Sequence, residues 1–102
     1  MIASVMTGDP GRLAEFCRIY HIARLALFGS VLRESFRPDS DVDVLVEFEP
    51  GHVPGFIGLG TIELELAPFF GGRRIDLHTA ASIFEGFRSQ VLAEAEVQYD
   101  AP

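Results

Sequence analysis

The sequence predicts one α/β domain in which short helices alternate with short strands. Gly and Pro residues divide the chain into short segments, whose apolar residues recur either every three to four positions or every second position. A chain of 102 residues can form one ordinary hydrophobic core, and no internal repeat or low-complexity tract interrupts it. We therefore expect residues 1–102 to form a single domain.

Composition and charge restrict the classes of function. The chain is 48% apolar and has nine Phe residues, as expected for a folded globule and not for a disordered tail. Its 15 acidic and 8 basic residues give a formal charge of -7, which repels nucleic-acid phosphates and argues against sequence-independent DNA or RNA binding. Divalent cations would neutralise some of these carboxylates, since Mg²⁺ prefers oxygen ligands.

Cysteine usage and hydropathy give no sign of export or membrane insertion. Cys17 is the only cysteine, which excludes an internal disulfide and a thiolate zinc site. No apolar run approaches the roughly 20 residues of a membrane helix, and the N-terminus lacks a basic segment followed by a hydrophobic stretch. We expect a cytoplasmic protein without a membrane segment.

Three segments have helical periodicity. In the first helix Asp9 is the predicted N-cap, Pro10 occupies the first position and the helix ends near Tyr20. The second is expected to end at Gly71-Gly72, and the third to begin with a capping box over 82–85. The apolar faces predicted for the three helices are Leu13, Phe16, Cys17 and Tyr20; Leu59, Ile62, Leu66 and Phe69 or Phe70; and Phe84, Phe87, Val91 and Ala95.

Four segments are predicted to be strands. The apolar run Arg24 to Phe28, ended by Gly29, is typical of a central strand buried on both faces. The segments Val42 to Phe48 and Arg74 to His78 alternate apolar and polar residues, and Val97 to Tyr99 is a candidate edge strand.

Asp41 and Asp43 are the first candidate site residues. They are two positions apart on a predicted strand, so both side chains lie on one face, roughly 7 Å apart at their roots. Adjacent carboxylates on an apolar strand repel each other and lose hydration, and a bound cation would remove both penalties. A pair of this kind also occurs in turns and on solvated faces, so it is weak evidence alone.

Gly29 and Ser30 strengthen this interpretation. They follow an apolar strand and precede the Asp pair by ten residues. A residue without a side chain lets backbone N–H groups approach phosphate oxygens, and the Ser30 hydroxyl adds a donor. Taken alone, the dipeptide is explained equally well by a Gly turn with a Ser helix cap, without any phosphate site. Beside the Asp pair, it predicts a site for metal and polyphosphate.

The segments Phe28–Arg33 and Arg37–Val46 together resemble the signature of the nucleotidyltransferase beta superfamily. They are most similar to the minimal nucleotidyltransferases, small prokaryotic proteins usually encoded beside a HEPN-domain protein. The order of helices and strands, Ile75–Leu77 and the ending Val91–Ala95 extend the resemblance over nearly the whole chain. Many members carry a second glycine four residues after the Ser, where this chain has Glu34.

The resemblance implies a nucleotidyltransferase fold, with a small, mixed, mostly antiparallel sheet and helices packed against it. It also implies that Asp76 completes a carboxylate triad with Asp41 and Asp43, which would bind Mg²⁺. The implied reaction moves AMP from ATP to a hydroxyl acceptor, with Gly29 and Ser30 holding the outer phosphates.

Several residues near the predicted site are compatible with two interpretations. Arg73 and Arg74 adjoin Asp76, so a surface ion pair is the alternative to metal binding. Arg37 is placed either to contact phosphate or to lie on the surface of a turn. His78 shares a predicted face with Asp76, but no second ligand lies at a suitable spacing for a zinc site.

The resemblance also implies a partner. The acceptor would be a tyrosine of a HEPN-domain toxin, and this chain would act as the antitoxin in a hetero-oligomer. The alternative is an antitoxin that is catalytically weak or inactive and neutralises its partner by docking alone, through Phe residues in the Pro54–Phe56 loop or around Phe69-Phe70. Transfer to a small molecule, as in aminoglycoside-modifying relatives, would require an additional domain.

Overall fold

The computed structural model describes residues 8–29, 41–79 and 85–102, which contain three α-helices, a short 3-10 helix and one sheet. In chain order these elements are α1 (Pro10–Ile19), β1 (Ile22–Phe28), β2 (Val42–Phe48), α2 (Phe56–Leu66), the 3-10 helix (Ala67–Phe70), β3 (Ile75–Thr79), α3 (Glu85–Glu94) and β4 (Glu96–Asp100). The expected α/β organisation is confirmed.

The four strands form one mixed sheet in the order β3-β2-β1-β4. β1 pairs antiparallel with both β2 and β4, whereas β2 and β3 run parallel. The sheet is therefore mostly antiparallel, as the resemblance implied. β1 lies inside the sheet as predicted, and β4 forms the edge expected from Val97 to Tyr99.

The first helix is positioned by its cap and by the turn that follows it. The Asp9 carboxylate accepts a hydrogen bond from the Gly11 N–H at 3.0 Å, and Pro10 occupies the first helical turn. After the helix, His21 adopts a positive φ of 57° that turns the chain into β1. The His21 ring stacks on His52 with 3.8 Å between ring centroids, and Nδ1 of His21 lies 3.7 Å from Glu49 Oε2.

The main core lies between one face of the sheet and helices α1 and α2. Its members are buried apolar side chains, namely Leu13, Phe16, Cys17, Ile22, Leu25, Leu27, Val42, Val44, Val46, Ile62, Leu66, Phe70 and Ile75. Desolvation raises the pKa of the Cys17 thiol to about 12, so this thiol is inert at neutral pH. Leu45, on the opposite face of β2, is also buried. On this face of β2, the polar residues are therefore Asp43 and Glu47, near the two ends of the strand.

The second helix differs from the prediction at its C-terminal end. It begins at Phe56, directly after a loop rich in Pro and Gly, and α-helical geometry stops at Leu66. Pro68 lies in the first turn of the 3-10 helix that follows, where its missing N–H prevents the regular hydrogen-bond ladder from continuing. Gly71 then ends the segment at φ 71°, as predicted.

The Phe residues of the two candidate contact surfaces differ in how far they are buried. Phe70 is fully buried and Phe69 packs against the core, so neither forms an exposed docking surface. Phe56, by contrast, is 94% exposed. Ser82 and Phe84, predicted to start and line the third helix, lie outside the described residues.

Within the described ranges, no helix combines the length and the apolar character required to cross a bilayer.

Gly29, directly after β1, has a backbone that only glycine adopts easily. Its φ is 78°, and a Cβ at this position would collide with the Asp43 carboxylate. Gly51 has nearly the same φ of 80°, but a Cβ there would meet nothing within 4 Å. At Gly29 a side chain is therefore disfavoured both by the positive φ and by collision with the Asp43 carboxylate. At Gly51 only the positive φ disfavours a side chain.

We expect Gly29→Ala to destabilise the fold by more than Gly51→Ala, whose cost from the positive φ alone is about 1 kcal/mol. Urea unfolding in EDTA measures both free energies of unfolding. In an Asp43→Ala background the extra cost at Gly29 should disappear, because the colliding carboxylate is absent. Equal costs for the two glycine substitutions in the wild-type background would contradict the close approach.

Candidate active site

The parallel pairing of β2 and β3 determines which polar residues meet. In its register Asp43 lies beside Asp76, and Asp43 also pairs with Phe28 of β1. The two carboxylates project from the sheet face opposite the main core, because side chains alternate along each strand. Residues far apart in sequence are thereby brought to one place.

Three side chains converge at this point. One ligand atom each from Asp43, Asp76 and His78 lies within 4.8 Å of the other two. His78 Nε2 is 3.2 Å from Asp76 Oδ2 and 3.5 Å from Asp43 Oδ1. The Asp43 and His78 side chains are 26% and 27% exposed and that of Asp76 is 52% exposed, so the cluster is open to solvent on the Asp76 side.

His78 is held between the carboxylates without a well-directed hydrogen bond. Its Nε2 atom is buried and, in the described part of the chain, meets no acceptor in hydrogen-bond geometry. Contact with the Asp43 carboxylate raises the pKa of His78 above 6.5, desolvation opposes this, and the charge of Asp76 adds to the increase. The Phe28 ring packs edge-on against the imidazole, with 5.1 Å between centroids.

The donor set fits a divalent cation. Two carboxylates supply the oxygen ligands that Mg²⁺ and Mn²⁺ prefer, and the imidazole adds a nitrogen donor that Mn²⁺ and Zn²⁺ also accept. A cation beside Nε2 would give this buried, unsatisfied atom a partner and would reduce the repulsion between the carboxylates.

The predicted site residues are only partly brought together. Gly29 lies against the Asp43 carboxylate, so the end of β1 and the acidic strand do meet. Asp41 directly precedes β2, is exposed, and is not a member of the three-residue cluster. Ser30 lies outside the described residues, as do Glu34 and Arg37.

The structure shows His78 as an ion-pair partner of Asp76. Sequence reasoning missed His78 because it searched for a second ligand along the same segment. That ligand, Asp43, is on another strand and becomes adjacent through the parallel pairing of β2 with β3. A signal was present in the sequence, since the segments that contain the two Asp residues both alternate apolar and polar residues, which is typical of strands.

Known proteins share this sequence and fold. The family model described as a nucleotidyltransferase domain matches residues 12–97. The protein adenylyltransferase MntA of Thermococcus cleftensis is 32% identical over 93 residues, which cover 91% of this chain and 88% of that protein. A solved structure assigned as a minimal nucleotidyltransferase is 32% identical, has a TM-score of 0.67, and is matched over 84% of this chain and 85% of its own.

A more distant structure is that of a tri-AMPylated Shewanella oneidensis HEPN toxin in complex with its MNT antitoxin. The match has 16% identity and a TM-score of 0.63, and covers 99% of this chain and 74% of the other. At this identity the likeness concerns the fold. The family model and the two relatives at 32% identity confirm the resemblance seen in the sequence, and the chain therefore belongs to the nucleotidyltransferase domain family, as one of its minimal members.

Proposed function

We propose that this protein transfers AMP from ATP to a hydroxyl group of a partner protein, in a reaction that depends on a divalent metal, with Mg²⁺ as the expected ion. The observation that carries the proposal is the convergence of Asp43 and Asp76 next to Gly29, on the sheet face opposite the main core. The name of the Thermococcus relative, a protein adenylyltransferase, supports the choice of reaction.

Each carboxylate has a proposed role. Asp43, the less exposed, would hold the cation together with Asp41, which directly precedes β2. Asp76, about half exposed, faces the side from which an acceptor approaches and takes the proton of its hydroxyl group. A divalent cation held there would supply positive charge to offset the negative charge of the triphosphate and of the departing pyrophosphate.

The end of β1 is the proposed phosphate site. Gly29 presents backbone without a side chain next to Asp43, which lets phosphate oxygens approach the acidic cluster closely. Ser30 follows directly in the sequence and would contribute a hydroxyl donor. The acceptor oxygen forms its new bond to the α-phosphorus while the bond to pyrophosphate breaks.

The proposed acceptor is a tyrosine of a HEPN-domain toxin, which would make this chain the antitoxin of a toxin-antitoxin pair. In support, the Shewanella complex contains an AMPylated HEPN toxin bound to an MNT antitoxin of the same fold. The 102 residues also leave little surface with which to enclose a large substrate, so a protein acceptor that supplies its own structure fits this domain.

Neutralisation by docking alone is the second candidate. The exposure of Phe56 favours it, because a large aromatic side chain that is 94% exposed is typical of an interaction surface. In that case the acidic cluster would not be needed for neutralisation. The two candidates therefore differ in what carboxylate substitutions do.

We expect Asp43→Asn and Asp76→Asn each to reduce AMP transfer about 100-fold or more, because each removes charge that stabilises the transition state. The assay combines the chain, Mg²⁺, ATP labelled at the α-phosphate and the HEPN-domain protein encoded beside it. Asp100→Asn, on the far edge strand, serves as a control that should label like wild type. Toxin neutralisation that survives both site substitutions, without label, would support docking alone.

We also expect Mg²⁺ with ATP to raise the melting temperature of the chain. Ligand at 100 times its Kd stabilises a fold by about 2.7 kcal/mol, which shifts the Tm of a domain of this size by several degrees. EDTA or Asp43→Asn should abolish the shift, while Asp100→Asn should keep it. Absence of a shift in wild type at millimolar ligand would contradict the nucleotide site.

The cluster further predicts a pH dependence of stability in the metal-free protein. Because the pKa of His78 is raised in the folded state, protonated His78 stabilises the fold fully below about pH 6.5, and this contribution is lost as pH rises through the folded pKa. The difference in free energy of unfolding between wild type and His78→Gln, measured in EDTA, should shrink from pH 6 to pH 9. A difference that stays constant over this range would count against the ion pair.

A further inference from the structure

We propose that the outward face of α2 is the surface on which the partner protein docks, by inserting apolar side chains surrounded by Lys and Arg. This surface, called the α2 surface below, consists of Val53, Phe56, Ile57 and Leu64. The inference rests on the proposed function for the identity of the partner, which is the HEPN-domain protein that carries the acceptor.

The α2 surface is the largest group of exposed apolar side chains in the described structure. Phe56 is 94%, Ile57 87%, Leu64 79% and Val53 67% exposed. Helical spacing places the three helix members on one side of α2, where Phe56 and Ile57 are adjacent and Leu64 lies about two turns further along. These four residues are more than half of the seven large apolar side chains that are exposed in the described structure, and exposed apolar residues grouped on one surface mark interaction sites.

The orientation of the helix is fixed by its other side. Ile62 and Leu66 are almost fully buried in the main core, so α2 cannot rotate to cover its outward residues. Between those residues, the Thr61 hydroxyl already donates to the Ile57 carbonyl at 3.1 Å, and Gly60 has no side chain. The Thr61 donor is therefore already satisfied within the helix.

A cavity adjoins the α2 surface. It has a volume of about 320 Å³ and lies between α2 and the edge strand β3, lined by Phe56, Leu59, Gly60, Glu63, Leu77 and Thr79. Glu63 Oε2 accepts the Leu77 N–H at 2.9 Å, which occupies a backbone donor of β3. A partner is therefore expected to insert a side chain into the cavity and not to add a strand to this edge.

Charge indicates the chemistry of the partner. The sequence from residue 38 to residue 72 contains seven Asp or Glu residues and no Lys or Arg, so it has a formal charge equal to the -7 of the whole chain. Glu63 and Glu65 of this segment lie on α2 itself. A complementary surface has apolar side chains at its centre and basic residues around them.

The cavity and the candidate active site lie on opposite faces of the edge strand β3. Leu77 lines the cavity on the face of the main core, while its chain neighbours Asp76 and His78 lie on the other face and belong to the acidic cluster. A partner docked at α2 must therefore extend around the edge of β3 to bring its hydroxyl group to Asp76.

The test measures binding of the HEPN-domain protein encoded beside this chain, by calorimetry or biolayer interferometry. Phe56→Glu and Ile57→Glu should each weaken binding about tenfold or more, because each removes an apolar contact and buries a carboxylate at the apolar centre of the interface. Both residues are almost fully exposed, so the fold is retained, which circular dichroism checks. Ile19→Glu, at a residue of α1 that is 64% exposed, is the matched control and should leave the Kd within twofold.

Two further measurements separate this inference from the proposed function. Asp43→Asn should bind the partner like wild type but fail to label it. Loss of binding in the α2 variants, with no label from any protein, would support the docking surface and reject AMP transfer. Wild-type affinity and labelling in Phe56→Glu and Ile57→Glu would overturn the docking surface and leave AMP transfer intact.

The salt dependence of binding and the oligomeric state of the chain alone are the last two measurements. Binding should weaken as NaCl increases from 50 to about 500 mM, because charge complementarity is screened. Sedimentation of the chain alone should give a monomer. A wild-type dimer that both α2 substitutions dissociate would show that a second copy covers this face and would overturn the proposal, as would failure of the wild-type chain to bind the HEPN-domain protein.

Discussion

The parallel pairing of β2 with β3 is the constraint on which the candidate site depends. Its register places Asp43 beside Asp76, although 32 residues separate them in the chain. Two carboxylates do not approach each other by mutual attraction, so backbone hydrogen bonds and the apolar residues behind the strands must hold them. Folding of the sheet therefore holds two negative charges close together. A bound cation would reduce the repulsion between them.

His78 and Gly29 complete that arrangement from opposite sides. His78 reaches both carboxylates and offsets part of their repulsion, while Gly29 leaves space for the Asp43 carboxylate where any other residue would collide with it. Neither residue would have this effect without the strand register. The site is therefore a property of three neighbouring strands and of the bend that ends one of them.

Local patterns in the sequence predicted most of the fold. Alternation identified β2 with its observed bounds, and Asp9-Pro10 identified the start of α1, because these signals depend only on neighbouring residues. The 3-10 segment was missed, since apolar spacing continues through Pro68 while the hydrogen-bond ladder does not. The meeting of His78 with Asp43 depends on which strands pair, which no single segment encodes. The role of Ser30 stays a prediction.

The loop between β2 and α2 is restrained in a way that favours recognition of a partner protein. His52 stacks on His21, and the Glu49 N–H donates to the His21 carbonyl at 2.8 Å, so the segment that leads from β2 toward α2 is tied to the turn after α1. A loop restrained in this way loses little conformational entropy when another protein covers it. The exposed residues that follow it are consequently preorganised for binding, and most of the ordering cost is met when the domain folds.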